Sequence, residues 1–133
     1  MINVLVSTDT RYPVNRKVIR RAVATTLEAH GAGAGDVEVS VSVVGERKMD
    51  QLCKKYMNDG KKHEVLSFPF EDTAVDSSKA FMNSPDGVLR LGDIILCWGQ
   101  VLLAAARDGV MVDDEVYLLT AHSTEHLLGK HHE

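Results

Sequence analysis

The chain has 133 residues, 44% of them apolar, enough for one domain (1–133) with a real core and too many for a disordered chain. A formal net charge of -4 argues against simple coating of nucleic acid, no apolar run reaches the length of a membrane span, and the start MINVLVSTDT lacks a signal-peptide pattern. Cys53 and Cys97 have no CxxC spacing, so they read as reduced core thiols of a cytosolic protein rather than a thiolate metal site.

Residues 2–7 (INVLVS) form a short β-branched run and predict a strand. Pro13 suits the first turn of a helix; Val14, Val18, Ile19, Ala22, Val23 and Leu27 follow at helical spacing, and Gly31 ends it. GAGAGD reads as a turn. Val37, Val39, Val41 and Val43 then alternate with Glu38, Ser40 and Ser42, the pattern of a half-buried strand. Met49, Leu52, Cys53 and Tyr56 mark a second helix that closes at Asn58-Asp59-Gly60. VLSFPF (65–70) is a short strand in which Pro69 suggests an edge. Residues 71–86 lack periodicity, and a loop of that length in a small domain is usually functional or mobile. VLRLGDIILCW (88–98) is a strand interrupted by Gly92, followed by an alanine-rich helix over 99–107 that ends near Asp108-Gly109. Asp113 or Asp114 is expected to cap the last helix. The order β-α-β-α-β-β-α-α implies an α+β fold with a roughly four-stranded mixed sheet and about four helices.

Charge is distributed unevenly. Residues 11–62 hold eleven Lys/Arg against six Asp/Glu, and residues 63–133 hold four against twelve. A basic half beside an acidic, histidine-bearing half is compatible with a polyanion lying across a site. Arg47, Lys48, Lys54, Lys55, Lys61 and Lys62 supply the positive charge on and after the second helix. Few aromatic residues are on hand to stack bases, and several of them read as core, so base-sequence readout looks weak.

The last sixteen residues, LLTAHSTEHLLGKHHE, hold four of the six histidines. His122 and His126 stand four apart in a helical stretch, so both imidazoles point the same way. Gly129 offers a left-handed helix end, and a chain turned there can bring His131 or His132 back toward them. Three imidazoles with nothing obvious in the fourth position describe a hydrolytic zinc site more than a structural one. The tail is taken as native, because a purification tag is normally a longer histidine run.

The spacing His122, His126, His132 is H-x3-H-x5-H, and HSTEHLLGKHH resembles the HGxLHLxGxDH signature of the YbeY-type rRNA maturation endoribonucleases. LCKKYMNDGKKHEVLSFPFED (52–72) is similar to that family's LNxxYRxxxxPTDVLSFPxxE stretch, and LGDIILCWGQV (91–101) resembles its LGDIxIS segment. The three segments stand in the family's order from about residue 46 to the end. The resemblance implies that His122, His126 and His132 hold one divalent ion, usually taken as zinc. It also implies a single-strand-specific endoribonuclease of the cytoplasm that matures the 3' end of small-subunit (16S-type) rRNA and takes part in ribosome quality control. The partners so implied are single-stranded rRNA and the small subunit or its assembly factors, with no membrane and no DNA.

This chain departs from the family pattern at several positions. The family's Gly after the first histidine is Ser123, its Leu before the second is Glu125, and its Asp before the third is His131. Its Thr-Asp before VLSFP is His63-Glu64. The arginine that follows the family's Tyr, implicated in activity, is Met57, which removes a guanidinium fork from the site. Lys54, Lys55, Lys61 and Lys62 are the candidates to replace it, as point charges. Asp93 in LGDI is expected to support the cleft, through a hydrogen bond to a loop backbone, rather than to ligate.

Two other readings compete. Loss of the arginine is compatible with a non-catalytic or weakly active metal-binding module on the ribosome. His122-Ser-Thr-Glu125-His126 also fits the HxxEH pattern of a metallopeptidase, with Glu125 as base. That pattern expects a carboxylate ligand well downstream, whereas Glu125 points about 100° away from His126 around the helix and reads as a solvated acid.

Overall fold

The computed structural model describes residues 1–32, 35–70 and 87–129. The expected loop over 71–86, part of the GAGAGD turn, and His131 and His132 lie outside the described residues. Among those described, the order is β1 (Ile2–Thr8), α1 (Arg16–Ala29), β2 (Asp36–Val44), α2 (Glu46–Tyr56), β3 (Val65–Pro69), β4 (Val88–Cys97), α3 (Trp98–Asp108) and α4 (Val112–Leu127). The fold is α+β, as the sequence order implied.

The sheet runs β1-β2-β4-β3. β1, β2 and β4 are parallel, and β3 pairs antiparallel with β4 at the edge, as Pro69 suggested. Val37, Val39, Val41 and Val43 of β2 point into one core with Leu89, Leu91, Ile94 and Leu96 of β4. α1 and α4 cover this face through Val18, Ile19, Val23 and Leu27, and through Val116 and Leu127. The opposite face carries a smaller cluster of Met49, Cys53, Leu66 and Cys97 beneath α2. Both cysteines are free and buried there, and burial raises each thiol's pKa. They are core thiols, as read.

Three local expectations are corrected. α1 begins at Arg16 rather than at Pro13, because Asn15 takes the N-cap and its side chain accepts from the Lys17 backbone N–H at 3.1 Å. α4 is capped by Met111, not by Asp113 or Asp114, and those acids stand in its first turn, where they complement the helix dipole. Gly92 does not interrupt β4. The register shifts between Glu38 and Val39, which oppose Arg90 and Gly92, leaving Leu91 as the extra residue of a β-bulge.

Gly92 instead marks a place where α4 packs tightly on the sheet. Its φ is 149°, and a Cβ there would overlap the Phe68 carbonyl and stand 2.9 Å from both Leu127 Cδ2 and Pro69 Cα. The missing side chain therefore lets the C-terminal half of α4 settle onto the β3–β4 pair.

Candidate active site

The three sides of α4 meet different neighbours. Val116, Thr120, Ser123 and Leu127 form its buried stripe. The small residues on this helix allow close packing, and Thr124 Oγ1 donates to the Thr120 carbonyl at 2.8 Å, so its buried hydroxyl is satisfied. Ser123, where the resembled family has Gly, fits within this stripe at 2% exposure.

One side of the stripe faces α1. Tyr117 there receives the Arg21 guanidinium 5.6 Å from its ring centre. Glu125 accepts from His30 Nε2, with 3.1 Å between the two atoms. Glu125 was read as a solvated acid; it is a half-buried, paired one, and its engagement with α1 weakens the case for it as a peptidase-type base.

The other side of the stripe carries Glu115, Leu119, His122 and His126 at helical spacing. It lies toward edge strand β3, whose alternation turns Val65 and Ser67 to the same layer. His122 and His126 come together as expected: the half-buried rings have centroids 4.3 Å apart at 57°. The helix then ends, and Gly129, at φ 79°, donates its N–H to the His126 carbonyl at 3.0 Å. This is the left-handed exit the sequence suggested. Among the described residues, no three His, Cys, Asp or Glu side chains form a metal-ligand set. The expected third ligand, His132, falls outside those residues.

Glu115 begins this flank and is almost wholly buried, with Oε1 lacking a hydrogen-bond partner among the described residues. Burial raises its pKa above the usual 4.5, and a shared proton with Asp108 raises it further. The Asp108 carboxyl is held low, chiefly by Arg107. A raised folded pKa means that Glu115 favours folding when protonated, and that this contribution is lost as pH climbs from the unfolded value through the folded one. Glu115→Gln, which stays neutral, is therefore expected to flatten the decline in Tm as pH rises above the ordinary glutamate value. Thermal unfolding across that range checks it; an unchanged decline would place the titration elsewhere.

The lysines are grouped on another surface. Lys54 and Lys55 are exposed on the last turn of α2, and Lys61 and Lys62 are exposed before β3. Lys62 Nζ is 3.6 Å from Glu46 Oε2, so part of its charge is offset. Met57 is the C-cap of α2, is 45% exposed and stands next to these cations. Asn58, at φ 49°, turns the chain out of the helix. His63, in place of the family's Thr, pairs with Asp59 at 3.0 Å; the Lys61 backbone N–H, donating to Asp59 at 3.0 Å, and then His63 hold the Asp59 pKa down.

Asp93 is half-buried on β4 opposite Phe68, on the sheet face away from α4. Burial alone raises its pKa. That placement fits a supporting residue and not a ligand beside His122. Two features escaped the sequence reading. Ser67 faces α4, a fact hidden in a motif quoted only for its resemblance. Tyr56, expected among helix-core positions, is 54% exposed.

A family model described as Endoribonuclease YbeY matches residues 6–133. Curated proteins named Endoribonuclease YbeY align along most of the chain. The one from Roseiflexus castenholzii is 34% identical over 120 residues, covering 90% of this chain and 72% of the relative. The one from Thermoanaerobacter sp. (strain X514) is 36% identical over 120 residues, with 88% and 74% covered. The one from Dehalococcoides mccartyi (strain BAV1) is 31% identical over 139 residues, with 99% and 84% covered. The chain belongs to the YbeY endoribonuclease family.

Proposed function

We propose that this family member is a metal-dependent, single-strand-specific endoribonuclease that processes ribosomal RNA, with His122, His126 and His132 holding one divalent ion, most simply Zn2+. The observation that carries the metal reading is the ring pair 4.3 Å apart on one flank of α4. Two imidazoles so close share a point that a small cation can occupy, and a left-handed helix end such as that at Gly129 is one from which a chain can turn back. Family membership supports the reaction class.

The residues divide the work. His122 and His126 are fixed by a helix whose buried stripe is locked into the core, so their geometry is set before substrate arrives. His30 holds Glu125 beside His126 and ties that end of α4 to α1. Lys54, Lys55, Lys61 and Lys62 attract and hold backbone phosphates as point charges. When bound, the ion supplies Lewis acidity and an activated water, the chemistry that phosphodiester hydrolysis requires. We place the reaction in the cytoplasm, on small-subunit rRNA or its assembly intermediates. Among the described residues no helix is long and apolar enough to cross a membrane.

The test is cleavage of a single-stranded rRNA fragment and of the same sequence as a duplex, each with and without chelator. Chelator-sensitive cutting of the single strand alone is the expected result; cutting that survives complete metal removal would overturn the mechanism. Met57→Arg places a guanidinium where the resembled family pattern has one. It is expected to raise the cleavage rate by about tenfold, the worth of one charge-assisted hydrogen bond to phosphate. An unchanged rate would show that the lysines already do that arginine's work.

A further inference from the structure

The face of the sheet away from the histidines carries an aromatic surface that the histidine reading leaves unused. Tyr56 ends α2 and is 54% exposed. Its ring meets that of Phe68 on β3, with centroids 5.1 Å apart at 58°. Phe68 thus braces Tyr56, and the exposed, flexible Lys55 side chain lies over the ring where a base would displace it. Lys55 Nζ stands 5.2 Å from the Tyr56 ring centre. Phe70, two residues beyond Phe68, is 40% exposed, and its backbone N–H continues the ladder to the Leu91 carbonyl at 3.0 Å. Half-exposed rings beside exposed lysines are the composition of a single-stranded nucleic-acid platform: bases stack on the rings, and the cations hold the phosphates between them.

We propose that Tyr56, braced by Phe68, is a nucleobase-stacking platform for single-stranded RNA, with Lys54 and Lys55 holding the adjoining phosphates. The proposal rests on the endoribonuclease reading and adds where the strand lies. The platform and the histidine flank stand on opposite faces of the same edge strand: Phe68 points to α2, while Ser67 and Val65 lie on the side of α4. A strand held at both places bends around β3. A single strand makes that bend easily, whereas a duplex resists bending over so short a distance. Single-strand preference then follows from the shape of the sheet edge, without any readout of base edges. Charge complementarity selects RNA as the occupant, because Lys55 lies over the Tyr56 ring and Lys54 and Lys61 are exposed on the same stretch of chain.

The experiment measures binding of the whole protein to a cleavage-resistant 2'-O-methyl oligouridylate and to an abasic oligomer with the same phosphates. A 2-aminopurine version of the oligomer reports stacking by its quenching. The wild-type protein is expected to bind the base-bearing oligomer about tenfold more tightly than the abasic one. Tyr56→Leu, which keeps an apolar side chain over Phe68, is expected to erase that difference and the quenching while leaving abasic binding unchanged. Lys55→Gln is expected to weaken both oligomers equally. Equal wild-type binding of the two oligomers, or undiminished binding and quenching in Tyr56→Leu, overturns the platform. Cleavage of unmodified RNA in the same preparation separates the two ideas. Cutting without a base-dependent affinity leaves the nuclease and removes the platform, whereas neither cutting nor binding removes both.

Discussion

His126→Ala is expected to release the divalent ion and to lower cleavage of single-stranded RNA by about 10²–10³-fold, with the fold retained. The size follows from the several kcal/mol that an ion contributes to phosphoryl chemistry, at about 1.4 kcal/mol for each tenfold in rate. Retention of the fold follows from position. His126 is on the half-exposed flank of α4, beside the buried stripe of Val116, Thr120, Ser123 and Leu127 rather than within it. Alanine is also the best helix former, so the backbone gains slightly where the ring is lost. Elemental analysis of untagged protein, wild type and variant side by side, reads the ion; circular dichroism reads the fold. About one zinc per chain, absent from the variant, is the expected pair. Stoichiometric metal in both proteins would remove His126 from the ligand set, and metal in neither, even after reconstitution, would end the metallonuclease reading.

Gly92→Ala is expected to cost about 3–5 kcal/mol, a large part of the stability of a domain this size. Two independent penalties act there. A φ of 149° is nearly closed to any residue with a Cβ. The added methyl would also collide with the Phe68 carbonyl and press on Leu127 Cδ2 and Pro69 Cα, both at 2.9 Å. The backbone contact cannot yield by a rotamer change. Relief requires β3 to separate from β4 or α4 to lift, and lifting α4 moves the histidines with it. Chemical denaturation of the two proteins checks the figure, and a midpoint within error of wild type would show that the bulge has room to relax. Leu127→Ala in the same background is the companion measurement. It removes one of the two side contacts, so any partial recovery it gives measures the pressure of α4 on Gly92.

The strands and helices were legible because their periods are clean. The Val37-Val39-Val41-Val43 alternation and the spacing of Val18, Ile19, Ala22, Val23 and Leu27 each dictate one buried face. The misreadings fall where short-range signals compete. Pro13 and Asn15 both suit a helix start, and the hydrogen bond from the Lys17 N–H decides for Asn15. Asp113 and Asp114 suit both a cap and a first turn, and side-chain chemistry alone does not separate the two. Gly92 resembled a strand breaker because a bulge and an interruption share the same residue. The histidine pair was legible from its i, i+4 spacing, since that geometry is local. The partner of Glu125 was not, because His30 lies 95 positions away in the chain and meets it only through the packing of α1 on α4. Exposure of Tyr56 was hidden for a related reason. Helical spacing placed it beside Met49 and Cys53, but the helix ends at that residue and the sheet edge ends beneath it.

The two faces of the sheet differ in how much holds them. On one, two helices bury a continuous core against β2 and β4. On the other, among the described residues, α2 packs through Met49 and Cys53 on a smaller cluster with Leu66 and Cys97, flanked by Val44, Leu52, Phe68 and Ile95, and Leu5 of β1 stays 47% exposed. Local opening of a protein follows its contact density, so the α2 side is the first to detach under thermal fluctuation. The helix that presents Tyr56 and the lysines is thus the loosely held layer, while α4 with its histidine pair belongs to the firmly held one. Under the proposed function, such a division lets the basic layer adjust to strands of different sequence and course without disturbing the histidine pair.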